Sequence, residues 1–282
     1  LLLPDAAVRR DLSDDATIAA VAEAVGDRGR LELLAALTEA DSLATGPAAW
    51  GTWKAELVRE LVRRVDHYLA GGDLTALTTV EFPDARQLAL LQQGDTVVDA
   101  EGDTLELVTP DRPGLFVRVA GVLALHGLDV LAADATSRDG MALERFRVTS
   151  RFGAMIAWDR VETDLLAALD HRLALEARLA ERIATYSRGG PRPGLPPASI
   201  RFDDAASRVA TVIELTAPDR IGLLYRVLRS FAELDLDVRV AKVQTLGDLM
   251  IDAFYVTHRD GSLVTDPEVR AELERSLLHA VS

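Results

Sequence analysis

The chain has 282 residues, 49% of them hydrophobic and 27% charged, a soluble globular composition with room for about two domains. It has no cysteine, which removes disulfides, thiolate nucleophiles and cysteine-based zinc sites and fits a reducing, cytoplasmic setting. A formal net charge of −14 argues against nucleic acid or an anionic membrane as partner, and no run approaches the ~18 apolar residues of a membrane span.

Leu1-Leu2-Leu3 runs into Pro4 and Asp5, which is no signal peptide, and the missing initial Met leads us to expect a piece of a longer protein. Residues 1–72 are expected to be helical throughout. Thr17–Val25 is Ala-rich with helical spacing and stops at Gly26. Arg30–Asp41 puts Leu31, Leu34 and Leu37 on one face, and Pro47–Leu69 carries Trp50, Trp53, Leu57, Leu61, Val65 and Leu69 as a stripe that suits a core. Residues 73–103 read as a connector with a short helix over Ala85–Leu91.

The rest of the chain repeats itself. Residues 104–149 lie over residues 212–257 without a gap, at an offset of 108, with seventeen of forty-six positions identical. Each copy predicts a strand (Thr104–Thr109; Thr211–Thr216), a Pro-Asp-Arg-x-Gly turn and a helix (Gly114–His126; Gly222–Leu234). A second strand follows (Asp129–Ala135; Asp237–Val243), then a Gly-containing turn (138–140; 246–248) and a third strand (Met141–Thr149; Leu249–Thr257). A final helix closes each copy, over Val161–Tyr186 and Pro267–Ala280. The expected domains are 104–187 and 199–282, joined by a Pro/Gly linker at 188–198.

The repeated turn carries the chemistry. A Gly at a helix start lets a ligand approach the backbone, and the free N–H groups there suit a carboxylate. An Asp three residues earlier can accept from an ammonium group, or can simply cap the helix. Retention of Asp111/Asp219, Arg112/Arg220, Gly114/Gly222 and Leu115/Leu223 in two diverged copies favours a site for a zwitterionic amino acid. The five histidines are scattered and read as surface or capping residues, and no catalytic set or phosphate-binding Gly-rich loop is present in the repeats.

The strand and helix order is ferredoxin-like, and the Pro-Asp-Arg-x-Gly-Leu turn resembles that of the ACT domain, a small amino-acid-binding regulatory module. The resemblance implies an α+β chain in which a helical segment precedes two βαββαβ ACT domains. It also implies ligands held between a loop of one copy and the second strand of the other. Asp129, Val130, Asp237 and Val238 are thereby candidates, the valines also being core positions, and the two copies are expected to pair.

The Leu37-Thr38-Glu39-Ala40-Asp41 run, with Arg9-Arg10-Asp11 before it and Trp50 and Trp53-Lys54 after it, resembles the end of an HD phosphohydrolase domain. Followed by two ACT units, it is similar to the C-terminal part of the bacterial family of bifunctional PII uridylyltransferase/uridylyl-removing enzymes. That resemblance implies glutamine as the sensed ligand, PII as the protein partner, and Mg2+ or Mn2+ serving the parent enzyme. The donor nucleotide is UTP, or ATP in some high-GC bacteria. Asp41 falls where the family has its last HD metal ligand. One carboxylate cannot hold a metal, so none is expected in this chain, and Asp41 serves equally as a helix-end cap. The transferase motif is absent, so this stretch is expected to be regulatory rather than catalytic. Two other readings stand beside it: a non-enzymatic amino-acid sensor that docks a partner protein, and repeats that pair through their sheets and bind nothing.

Overall fold

The computed structural model describes residues 2–10, 12, 14–45, 52–72, 74, 82–151, 153–186, 197–246 and 249–282. The linker at 188–196, Trp50, the Trp53 side chain and the turn at 247–248 lie outside the described residues. The chain divides into two units, Leu1–Glu81 with Asp204–Arg208, and Phe82–Asp203 with Val209–Ser282.

The first unit is helical: α1 (Leu2–Arg9), α2 (Asp15–Val25), α3 (Arg28–Thr45) and α4 (Thr52–Leu69). Asp14 caps α2 by accepting from the Ala16 N–H at 2.9 Å, and Gly26 ends it at φ 88°. Helix α4 touches the other three, and its Val58, Leu61 and Val65 enter one core with Leu3, Ile18, Val21 and Leu31. The expected face of α3 is only half right. Leu31 is buried, but Leu37 is 64% exposed, because six residues turn it by about 240° around the axis; Thr38 and Ser42 take the inner face instead.

In the second unit, eight strands form one antiparallel sheet: β1 (Val97–Glu101), β2 (Thr104–Pro110), β3 (Leu128–Arg138), β4 (Met141–Ser150), β5 (Ser199–Asp203), β6 (Thr211–Pro218), β7 (Leu236–Leu246) and β8 (Leu249–His258). Their order is β1-β2-β4-β3-β7-β8-β6-β5, a palindrome of the two copies. The fold class is the expected α+β arrangement, with one difference. The fourth strand of each copy comes before the repeat instead of after its last helix, so each copy runs ββαββα. Strand β1 pairs with β2 through a turn at Gly102, whose φ is 59°, and β5 pairs with β6. The stretch at 73–103 therefore contributes both α5 (Ala85–Gln93) and an edge strand. Helix α5 opens with a reciprocal cap between Asp84 and Gln87 and packs Leu91 against Val108, Met141 and Leu143.

The opposite face carries α6 (Leu115–Leu125), α7 (Trp158–Leu169), α8 (Leu175–Tyr186), α9 (Leu223–Glu233) and α10 (Pro267–Val281). The period-2 pattern sends Leu105, Leu107, Phe146 and Val148, with Ile213, Leu215, Phe254 and Val256, into one core shared by both copies. The single helix expected over Val161–Tyr186 is two helices. The chain breaks at His171, with φ 57°, and α8 turns back onto α6 at Gly121, where an added Cβ would lie 2.8 Å from Leu175.

Candidate ligand clefts at the seam of the two copies

The copies meet edge to edge where β3 and β7 pair, with Ala133 opposite Ala241. These two alanines are equivalent positions of the repeat, so a pseudo-twofold axis runs between them. It brings the turn of each copy beside the second strand of the other. Both second strands carry a bulge there, at Val130/Ala132 and at Val238/Val240.

Two clefts result. The first, about 550 Å³ counting its open mouth, is lined by Asp111, Arg112, Gly114 and Leu115 of one copy and Asp237 and Val238 of the other. The second, about 450 Å³, is lined by Asp219, Arg220, Gly222 and Leu223 with Asp129 and Val130. All twelve residues singled out in the repeats thus come together, six to a cleft. Gly114 and Gly222 sit at the starts of α6 and α9 with φ 72° and 76°, a left-handed conformation that favours glycine.

The arginines of the turn, and one in the helix after it, have a structural task. Arg112 donates to the Leu169 carbonyl at 2.8 Å and Arg118 to the Ala168 carbonyl at 3.0 Å, both at the end of α7. Their counterparts do the same at the end of α10: Arg220 donates to Ser282 O at 3.0 Å and Arg226 to His279 O at 3.1 Å. Cations at a helix C-terminus satisfy its unpaired carbonyls and its dipole. Retention of these arginines in both copies therefore follows from helix capping.

Three features of the clefts escaped the sequence reading. Glu144 lines the first cleft on the core-facing side of β4, 3% exposed, and its Oε2 has no hydrogen-bond partner among the described residues. Burial, with the charge of Asp111 adding to it, pushes the Glu144 carboxyl well above the usual carboxylate range. The repeat places buried Asp252 at the equivalent position of β8, so a doubled break in the apolar alternation was the signal. Arg239, at the β7 bulge, also lines the first cleft, where the other copy has Leu131. Arg151 lines the second cleft, and its guanidinium joins Asp129, at 2.9 and 3.0 Å, to Asp219, at 3.0 Å. Burial raises the pKa of Asp129, opposed by Arg151. Burial raises that of Asp237 as well, with Arg259 opposing and Asp111 adding to the rise.

Asp41 lies exposed on the last turns of α3, its carbonyl accepting from the Thr45 hydroxyl at 2.8 Å. No group of three or more metal-capable side chains occurs among the described residues. One exposed carboxylate is not a donor set, so the described residues around Asp41 do not by themselves fit a metal ion. Among the described residues no helix is long and apolar enough to cross a membrane.

Residues 199–282, the second copy, match the ACR9-like, ACT-like domain family. Over 98% of its length the chain is 39% identical to a protein of Streptomyces coelicolor named bifunctional uridylyltransferase/uridylyl-removing enzyme, of which it covers 39%. The chain matches the C-terminal part of the bifunctional uridylyltransferase/uridylyl-removing enzymes. The protein of that name from Mycobacterium tuberculosis is 34% identical over 100% of this chain, which covers 36% of it. For Azospirillum brasilense the figures are 32% identity, 98% of this chain and 35% of the relative. The chain thus spans little more than a third of the length of these uridylyltransferase relatives, and its ACT-like second copy falls within that span.

Proposed function

We propose that this chain is the glutamine-sensing regulatory region of a bifunctional nucleotidyltransferase/nucleotidyl-removing enzyme that modifies PII in the cytoplasm. The observation that carries the reading is the pair of seam clefts, each set between a glycine-opened helix start and two aspartates. An α-amino acid brings an ammonium group for the aspartates and a carboxylate for the free N–H groups of the helix start. Ligand binding alters the parent only if one arrangement of the ACT pair and the helical unit binds it better than another.

In this reading a pair of aspartates holds the ammonium and a helix-start glycine admits the carboxylate, as Asp111, Asp237 and Gly114 do in the first cleft; Asp129, Asp219 and Gly222 repeat the set in the second. Transfer and removal, with their Mg2+ or Mn2+, fall to the nucleotidyltransferase and HD parts of the whole enzyme, and UTP or ATP is the donor. The names of the relatives and the ACT-like match support it.

Titration calorimetry with glutamine tests the proposal. Heat of binding and a raised melting temperature at millimolar ligand are expected, weakened in Asp111→Ala. Silence in wild type across the common amino acids would sink it.

A further inference from the structure

The two clefts are built from equivalent residues, yet one arginine behaves differently in each. Arg151 bridges Asp129 and Asp219 across the second cleft. Its counterpart 108 positions on, Arg259, lies 3.5 Å from Asp235. Among the described residues no cation bridges Asp111 and Asp237 as Arg151 bridges their counterparts. The cause is local. Each arginine follows the last strand of its copy and sits beside the turn between first helix and second strand; the Arg151 N–H donates to the Gly127 carbonyl at 3.0 Å. That turn position is Gly127 in one copy, at φ 72°, and Asp235 in the other, at φ 54°. Glycine offers no side-chain acceptor, so the Arg151 guanidinium goes to the cleft aspartates. Arg259 instead pairs with the exposed Asp235 carboxylate, near enough to Asp237 to oppose the rise in its pKa but without bridging it to Asp111.

Two further differences have the same sense. A Cβ added at Gly222 would lie 2.9 Å from Ile183 of α8, whereas nothing stands within 4 Å of one at Gly114. Glu144, nine-tenths buried and without a partner for Oε2, lines the first cleft and not the second. Its counterpart Asp252 is absent from the lining of the second cleft.

Resting on the sensing reading above, we infer that the Asp111/Asp237 cleft alone takes a free amino acid in the wild-type chain, and that Arg151 is a built-in substitute for the ligand's ammonium group in the other. The first cleft presents the complete set: two aspartates for the ammonium, the α6 start and Arg239 for the carboxylate, and Glu144 for a polar ligand side chain. Burial favours the protonated form of Glu144, which can donate to and accept from a carboxamide. The second cleft already contains the cation its aspartates need.

Calorimetry of the intact chain with glutamine as probe should give one equivalent in wild type. Asp237→Asn should weaken it at least about tenfold, the scale of one charge-assisted hydrogen bond. Arg151→Gln should add a second, weaker equivalent. Asp235→Gly, which suits the positive φ, should free Arg259 to bridge Asp111 and Asp237 and weaken the first site several-fold. Crystals soaked in glutamine should show it between Asp111 and Asp237, with Arg151 in place. Two equivalents in wild type, one equivalent retained in Arg151→Gln, or ligand density displacing Arg151 overturns the inference while sensing stands. Absence of binding to wild type and to Arg151→Gln, with every amino acid, overturns both.

Discussion

Ala133 and Ala241 lie directly opposite each other at the centre of the eight-stranded sheet, 1% and 0% exposed. A side chain and its own repeat counterpart can meet this way only at a twofold axis. Their small size lets α6 and α9 pack across the seam beneath them. Both clefts depend on this one pairing, since each takes a turn from one copy and a strand from the other.

Ala133→Leu forces extra volume into that closed seam. A loss of about 1–3 kcal/mol is expected from overpacking, read as a lower denaturant midpoint, with glutamine heat falling in step. A surface change such as Leu278→Ala, on a residue 43% exposed, should leave both unmoved. Equal losses in the two variants would show that the seam is not what organises the unit.

Much of this architecture was legible because the chain states it twice. The offset of 108 picked out both turns and both second strands, and the ACT resemblance set the turn of one copy against the strand of the other, which named twelve of the lining residues. The edge strands were less visible. β1 and β5 are five residues each, lie outside the repeated segment, and are half polar, so periodicity says little. The Gly102-Asp103 turn was the available hairpin signal. The break at His171 was hidden because Leu and Ala continue through it, and helix propensity does not register where α8 must dock. The roles of Arg112 and Arg151 depend on carbonyls and carboxylates remote in sequence, at Leu169 and Asp219. Only the fold makes those neighbours.

Arg112 and Arg220 hold the ends of α7 and α10, so removing either should release the last turn. Arg112→Ala and Arg220→Ala are each expected to cost about 1–3 kcal/mol, the scale of a hydrogen bond to a charged group. Amide exchange should accelerate at Ala168 and Leu169 in the first variant and at His279 and Ala280 in the second. Adding Arg118→Ala to Arg112→Ala should cost less than the sum, because both arginines serve the same helix end.

The glycines of the repeated turn make a matched pair. Alanine at either meets a left-handed conformation, costing roughly 1–2 kcal/mol. At Gly222 the new Cβ also lies 2.9 Å from Ile183, whose chain end must shift. Gly222→Ala should therefore be the more destabilising by a few tenths of a kcal/mol. Gly222→Ala with Ile183→Val should recover that difference, and urea unfolding of the four chains measures it.

Glu144 gives the pH dependence its sign. Its ordinary value is 4.5, and burial with the neighbouring Asp111 charge raises it far above that in the folded chain. Below about pH 4.5 the carboxyl is protonated whether folded or not, and it carries no penalty. Above that, the unfolded chain releases the proton while the folded chain keeps it. Stability then falls as pH rises toward the folded value, by up to about 1.4 kcal/mol per pH unit. Glu144→Gln removes that proton and keeps the shape. Its melting temperature should match wild type near pH 4 and exceed it increasingly as pH rises above about 5, by about 2–4 °C for each kcal/mol recovered. A constant offset across that range would mean that Glu144 is ionised in the fold. The first cleft would then hold three carboxylates, and the protonated donor assigned to its floor would be lost.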